Sequence, residues 1–269
     1  MVSLARTARP YLAIVSSVPR LYLAYRAWAW MEFVVQIIAL TVFVFFWRAV
    51  YAGRSSLGGL TQAETIDYII LAQVMAPVVM ESLVFLFGGL IREGMLATEL
   101  LRPMDVQARF YVDQLTSLGI SLLLKIPLAF IAWLAFDLHL PRDPLVWLAF
   151  LFTLVLGHAA VFCFDWLFAC LAFYTTETWG LGMVRQSIGA FFSGALIPLA
   201  LMPDWLRTVC QSLPFVQALY VPVSLLSGIT PLSQAPRLWL IQLAWLAGLL
   251  VASRLVFRIA VRKVTVQGG

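Results

Sequence analysis

The apolar residues of this chain come in unbroken runs as long as a bilayer is thick, and that one property excludes most folds. Ala27–Trp47 holds 21 residues with Glu32 as its only charge, Ile69–Leu90 holds 22 with only Glu81, and Leu115–Phe136 holds 22 with only Lys125. Leu145–Phe173 extends for 29 with only Asp165. Gln186–Met202 carries no charge, and Leu238–Ala260 carries only Arg254 and Arg258, towards its end. A helix needs about 20 apolar residues, at about 1.5 Å each, to cross the hydrocarbon core. The runs are continuous rather than alternating, which excludes barrel strands. The expected fold class is an all-α membrane protein with six transmembrane helices. Composition agrees, with 62% of residues hydrophobic and 12% charged, against about 25% charged in a soluble domain.

Lys and Arg set the expected orientation. With the N-terminus in the cytoplasm, that side receives 12 of the 18 basic residues, including Arg92, Arg102, Arg109 and Arg185, and the outer side receives five. Lys125 remains inside the third helix. Both termini are therefore expected in the cytoplasm of a multi-pass inner (plasma) membrane protein. The net charge of +5 reads as a topology signal. No basic cluster with interleaved aromatics points to nucleic acid.

Residues 1–269 read as a single transmembrane domain with no soluble module. Residues 1–26 carry four Arg and two Pro without a compact apolar stretch and small-residue cleavage site, so no cleavable signal peptide is expected. Tyr11, Leu12, Val15 and Val18 fall on one helical face, which suggests an amphipathic segment lying along the membrane surface. Residues 203–231, beginning PDWLRTVCQSLPFVQALYVPVSLLSG, are apolar but broken by Pro203, Pro214 and Pro222. Two re-entrant half-helices in the outer leaflet, between helices five and six, fit that pattern.

Residues 91–110 form the most informative connector. Its first part, IREGMLATELLRPMD, concentrates Arg92, Glu93, Glu99, Arg102 and Asp105 in 15 residues, yet laces them with Met95, Leu96, Leu100 and Leu101. A helix from Glu93 to Leu101 would place Leu96 and Leu100 on one side. Pro103 would end it and suits the first position of the next helix.

Chemical signatures are sparse. The chain has no His-Glu-x-x-His, no Gly-x-Ser-x-Gly and no phosphate-binding glycine loop. No catalytic residue, cofactor or metal is expected, and any ATP must be hydrolysed by another polypeptide. Cys163, Cys170 and Cys210 lack disulfide or metal spacing and read as packing residues. His158 and Asp165 lie seven apart and could share a helix face, for structural hydrogen bonding or for a membrane enzyme. Ionisable residues inside a bilayer are costly and are functional candidates by default. Glu32 could snorkel to water or pair with Arg26. Glu81, Lys125 and Asp165 sit deeper, either as packing contacts or as a polar substrate path. An ion-gradient-driven carrier using these three is the alternative transport reading. An aromatic path with acidic residues would suit an organic cation.

Six spans, an amphipathic start, no ATP site, a charged amphipathic cytoplasmic helix and broken outer helices together resemble a type-2 ABC transporter permease. Within that class, the connector is similar to the Ile-Arg-x-Gly-x-Leu…Leu-Leu-Arg-Pro stretch of a bacterial, viologen-exporter-like family, matched by Ile91, Arg92, Gly94, Leu96, Leu100, Leu101, Arg102 and Pro103. TETWGLG (176–182) departs from the importer loop it faintly echoes, lacking Ala-Ala. The resemblance implies an ATP-driven exporter of a small cationic or hydrophobic compound. It also implies a second permease subunit, identical or homologous, and a pair of ATPase subunits. Arg92, Gly94, Leu96, Glu99, Leu100, Leu101, Arg102 and Pro103 would then form the coupling helix, with Leu96, Leu100 and Leu101 buried against the ATPase. Glu32, Glu81, Lys125 and Asp165 would line the substrate path, among membrane lipid.

Overall fold

The structure is a computed structural model that describes residues 11–20, 26–175 and 177–263, with the side chains of Arg26 and Trp28 excepted. The rest of the amphipathic N-terminal expectation, residues 1–10 and 21–25, lies outside the described residues. Residues 11–20 form a helix, α1, with Val18 buried and Leu12 and Val15 exposed.

The helices that follow are α2 (Arg26–Val50), α3 (Gln62–Met75), α4 (Pro77–Met80), α5 (Leu83–Arg92) and α6 (Met95–Leu100). Next come α7 (Val106–Leu124), α8 (Ile126–Phe136), α9 (Pro144–Ala169) and α10 (Thr178–Phe192). The last four are α11 (Asp204–Gln211), α12 (Pro214–Ala218), α13 (Tyr220–Leu226) and α14 (Ala235–Ala260). Among the described residues the only strands are a two-residue antiparallel pair, Ser56–Leu57 with Leu60–Thr61. A capping box follows it, in which Thr61 and Glu64 satisfy each other's backbone N–H at the start of α3.

Four helical segments among the described residues are long and apolar enough to cross a membrane: Ala29–Val50, Val106–Phe136, Pro144–Phe173 and Leu232–Lys263. The other two apolar runs are not single helices. Ile69–Leu90 breaks at Glu81 and Ser82, which are extended, between α4 and α5. Gln186–Met202 stays helical only to Phe192, then unwinds and closes with a 3-10 turn at Leu199–Leu201. Length and composition hid both breaks because apolar content does not report where backbone hydrogen bonds are surrendered.

Bare carbonyls at such breaks need donors wherever packing shuts out water. Arg185 Nη1 donates to Val79 O at 2.6 Å and Gln186 Nε2 to Met80 O at 2.8 Å, so α10 covers the end of α4. Tyr68 Oη donates to Gly194 O at 2.9 Å and Gln73 Nε2 to Ala195 O at 3.1 Å, so α3 covers the unwound end of α10. Arg207 covers the carbonyls of Leu199, Ala200 and Met202 at 2.9 to 3.0 Å. The two broken segments thus hold each other's open backbone.

α9 is the central post, packed against α14, α12, α13 and α5. Gly157 is the reason α12 comes so close: a Cβ there would lie 2.2 Å from Gln217 O. Gln242 on α14, fully buried, donates to both Gln217 O (2.8 Å) and Thr153 O (3.0 Å), fixing three helices at one point. α11 and the α12–α13 segment form a pair bent by 73°. The expected re-entrant region is therefore two helices at a sharp angle, and the bend falls at Ser212–Leu213, just before Pro214.

Candidate functional site

The connector after α5 turns on Gly94, whose φ of +69° lies in the left-handed region that ends helices and favours glycine. α6 then spans one and a half turns. Its inner face is fixed on the chain itself: Leu96 is 1% exposed, and the buried Glu99 carboxylate meets Arg102 at 3.2 Å and Arg109, on α7, at 2.9 Å. Its outer face sets two exposed apolar side chains among polar and charged ones. Leu101 is 84% exposed and Met95 50%, and Arg92, Gly94, Thr98, Arg102 and Pro103 are exposed around them.

This placement redistributes the expected contact residues. Leu96 and Glu99 serve this chain's own packing, Leu100 is half-buried, and Leu101 is the leucine left outward. Pro103 follows the end of α6 but does not open the next helix. α7 begins at Val106 with Asp105 as its cap, whose Oδ1 accepts from Ala108 N–H at 2.7 Å. Asp105 also pairs with Arg254 of α14. Burial pushes the Asp105 carboxyl up, but the Arg254 hydrogen bond, the Ala108 N–H and the Arg254 charge outweigh it and hold the group below the usual carboxylate range.

Of the four expected path residues, Glu81 lies within electrostatic reach of Asp165 and Glu32, and the other three are in ion pairs. Glu32, half-exposed, pairs with Lys125 at 2.9 Å where α7 gives way to α8, while the Arg26 side chain lies outside the described residues. Asp165 pairs with Arg185, which is wholly buried, bonds Val79 O and lies 5.2 Å from the Phe215 ring centre. Glu81 remains, half-buried at the break between α4 and α5, with no side-chain hydrogen bond or ion pair among the described residues. His158 does not join Asp165; it packs its ring 5.7 Å from that of Tyr111. The three cysteines are free and buried.

Sequence reasoning missed two residues. Arg185 was counted among the cytoplasmic cations, yet it is an interior one. Its signal was the flanking Gly182 and Gly189; a Cβ on Gly189 would sit 2.5 Å from the Arg185 guanidinium. Asp113, half-buried in α7, also has no hydrogen bond or ion pair among the described residues. It lies one turn beyond Arg109, so the two share a face.

The arrangement has the parts of a transport subunit: long apolar helices, the interior charges Lys125 and Asp165 each neutralised in a pair, and a surface helix followed by an exposed leucine. Residues 34–268 match the family model described as ABC-2 family transporter protein. No curated protein matches the chain at a significant level. Members of that family are membrane transport components of ABC transporters, which work with an ATPase subunit and are not themselves the catalytic subunit. With the match covering nearly all of the described helices, this multi-pass membrane protein belongs to the ABC-2 family of transporter proteins.

Proposed function

We propose that this permease exports a small cationic or hydrophobic compound, driven by ATP hydrolysed on a separate pair of ATPase subunits. Two permeases, identical or homologous, make the pathway, each crossing the inner (plasma) membrane six times with both termini in the cytoplasm. In this reading α3–α5 and α10 with the following turn complete the six crossings as broken spans, and α11–α13 dip into the outer leaflet without crossing. Residues 91–103 are the coupling helix.

The observation that carries this reading is the two-sided build of α6. Leu96 and the Glu99–Arg109 pair tie it rigidly to the spans, while Leu101 and Met95 stand out towards a partner. A helix fixed on one side and offering exposed apolar side chains among charges on the other transmits displacement rather than absorbing it, and it suits a partner's groove. Moving it would drag α5 and α7 as rigid bodies, which is how alternating access is driven. Glu81, an interior carboxylate left without an ion pair among the described residues, is the group offered to a cationic substrate.

Co-expression with the ATPase subunit tests the coupling. Leu101→Asp with Arg92→Glu is expected to abolish co-purification of the ATPase while the permease still purifies as a folded protein. An ATPase that stays bound to this variant overturns the assignment of the contact. Inverted vesicles bearing the complex are expected to take up a lipophilic fluorescent cation only with ATP, and Glu81→Gln is expected to reduce that uptake. Uptake driven by an ion gradient without ATP would establish a secondary carrier instead.

A further inference from the structure

Between α1 and the start of α7 lies a groove of about 470 Å³. Ala13, Ile14 and Ser17 line one wall, and Arg102, Arg109 and Asp113 the other. The polar wall is incompletely satisfied. Glu99 engages both guanidinium groups, yet Arg109 Nε is buried without a hydrogen-bond partner among the described residues. Asp113, one turn along the same helix, is a half-buried carboxylate with no partner among them either. The buried Arg109 Nε–H carries the cost of an unmade hydrogen bond, and the Asp113 carboxylate lines the same groove.

Charge narrows the ligand. Two Arg against Glu99 and Asp113 sum to zero, so a simple anion or a simple cation would leave one sign uncompensated. A ligand carrying both signs would not. The opposite wall adds a second constraint, because Ala13 and Ile14 give it an apolar lining. A water-soluble ion has no use for that apolar flank, whereas an acyl chain does.

We infer that this groove binds the headgroup of a zwitterionic phospholipid with a primary amine. Its phosphate sits on Arg102 and Arg109, its ammonium on Asp113, and its chains pass along α1. Arginine holds phosphate through several donors at once, and a primary ammonium donates hydrogen bonds to a carboxylate that a quaternary one cannot. Bound there, the lipid ties α1 to the base of α7 beside the coupling helix. The inference rests on reading α1 as lying at the membrane surface; it does not depend on ATPase coupling, so the two fail separately.

The test uses the full chain, delipidated in mild detergent and studied by native mass spectrometry with phosphatidylethanolamine, phosphatidylglycerol, phosphatidylcholine and soluble O-phosphoethanolamine. Phosphatidylethanolamine is expected to be retained about tenfold better than either other lipid, the size of one charge-assisted hydrogen bond. Asp113→Asn is expected to erase that preference, Asp113→Glu to keep it, and Arg102→Gln to weaken phosphatidylethanolamine and phosphatidylglycerol alike. Equal retention of the three lipids, or a preference unchanged in Asp113→Asn, overturns the inference. So does O-phosphoethanolamine that competes as well as the lipid, which would mark a soluble ligand.

Discussion

Arg185 is wholly buried, paired with Asp165, and donating to the end of α4. Removing one member of a buried pair strands the other charge, at a cost of about 3–5 kcal/mol, whereas replacing both with apolar residues is often close to neutral. Arg185→Leu is therefore expected to lower the thermal unfolding midpoint in detergent sharply, and Arg185→Leu with Asp165→Leu to recover most of the loss. Leu96 and Leu101 offer a similar contrast. Leu96→Ala is expected to cost about 2–5 kcal/mol, as for other buried leucines, and Leu101→Ala to stay within about 0.5 kcal/mol; equal shifts in unfolding midpoint would contradict the two-sided α6. Asp105 gives the acid dependence. Its folded pKa lies below the ordinary carboxylate value of about 3.9. Its contribution is therefore fully present above that value and is lost as pH falls through the lower, folded one. Asp105→Asn is expected to lower stability at neutral pH and to flatten the acid side of the unfolding profile.

At the scale of elements, helix contact here depends on small residues rather than on apolar driving force, because lipid competes for every exposed leucine. α9 and α12 meet at Gly157, and α5 meets α10 at Gly88 and Gly182, where an added Cβ would lie 2.0 Å from Thr178 and 2.5 Å from Phe85 respectively. Gly157→Ala is expected to cost about 1–3 kcal/mol, the range for overpacking, because the obstructing atoms are backbone and cannot rotate away. Thermal unfolding checks it, and a neutral result would mean that α12 is free to slide. The same scale explains the two broken runs. Pro77 and Ser82 lie in one, and Ser193 and Gly194 in the other. Their apolar surroundings concealed that Arg185, Gln186, Tyr68 and Gln73 would supply the missing hydrogen bonds.

At the scale of the whole molecule, orientation is testable because the native cysteines are buried and contribute little labelling. An impermeant maleimide is expected to label Arg54→Cys in intact cells, and Leu101→Cys only after permeabilisation, both positions being exposed. The reverse pattern would invert the topology and with it the assignment of residues 91–103 to the ATPase side.

The family and the all-α membrane class were legible in the sequence because bilayer thickness acts on local runs of residues, and the connector 91–103 carries its own pattern of charge and leucine. What the tertiary structure decided is which of those residues are available. Leu96 and Leu101 are the same residue type five positions apart, yet one is closed off and the other open, because α6 is pinned through Glu99 to Arg109. Glu81 and Asp165 each stood as the lone charge of an apolar run, and only packing gave Asp165 a partner. The Asp165–Arg185 pair and the Tyr68–Gly194 bond join residues 20 and 126 positions apart, and no local pattern in the chain encodes which of them meet.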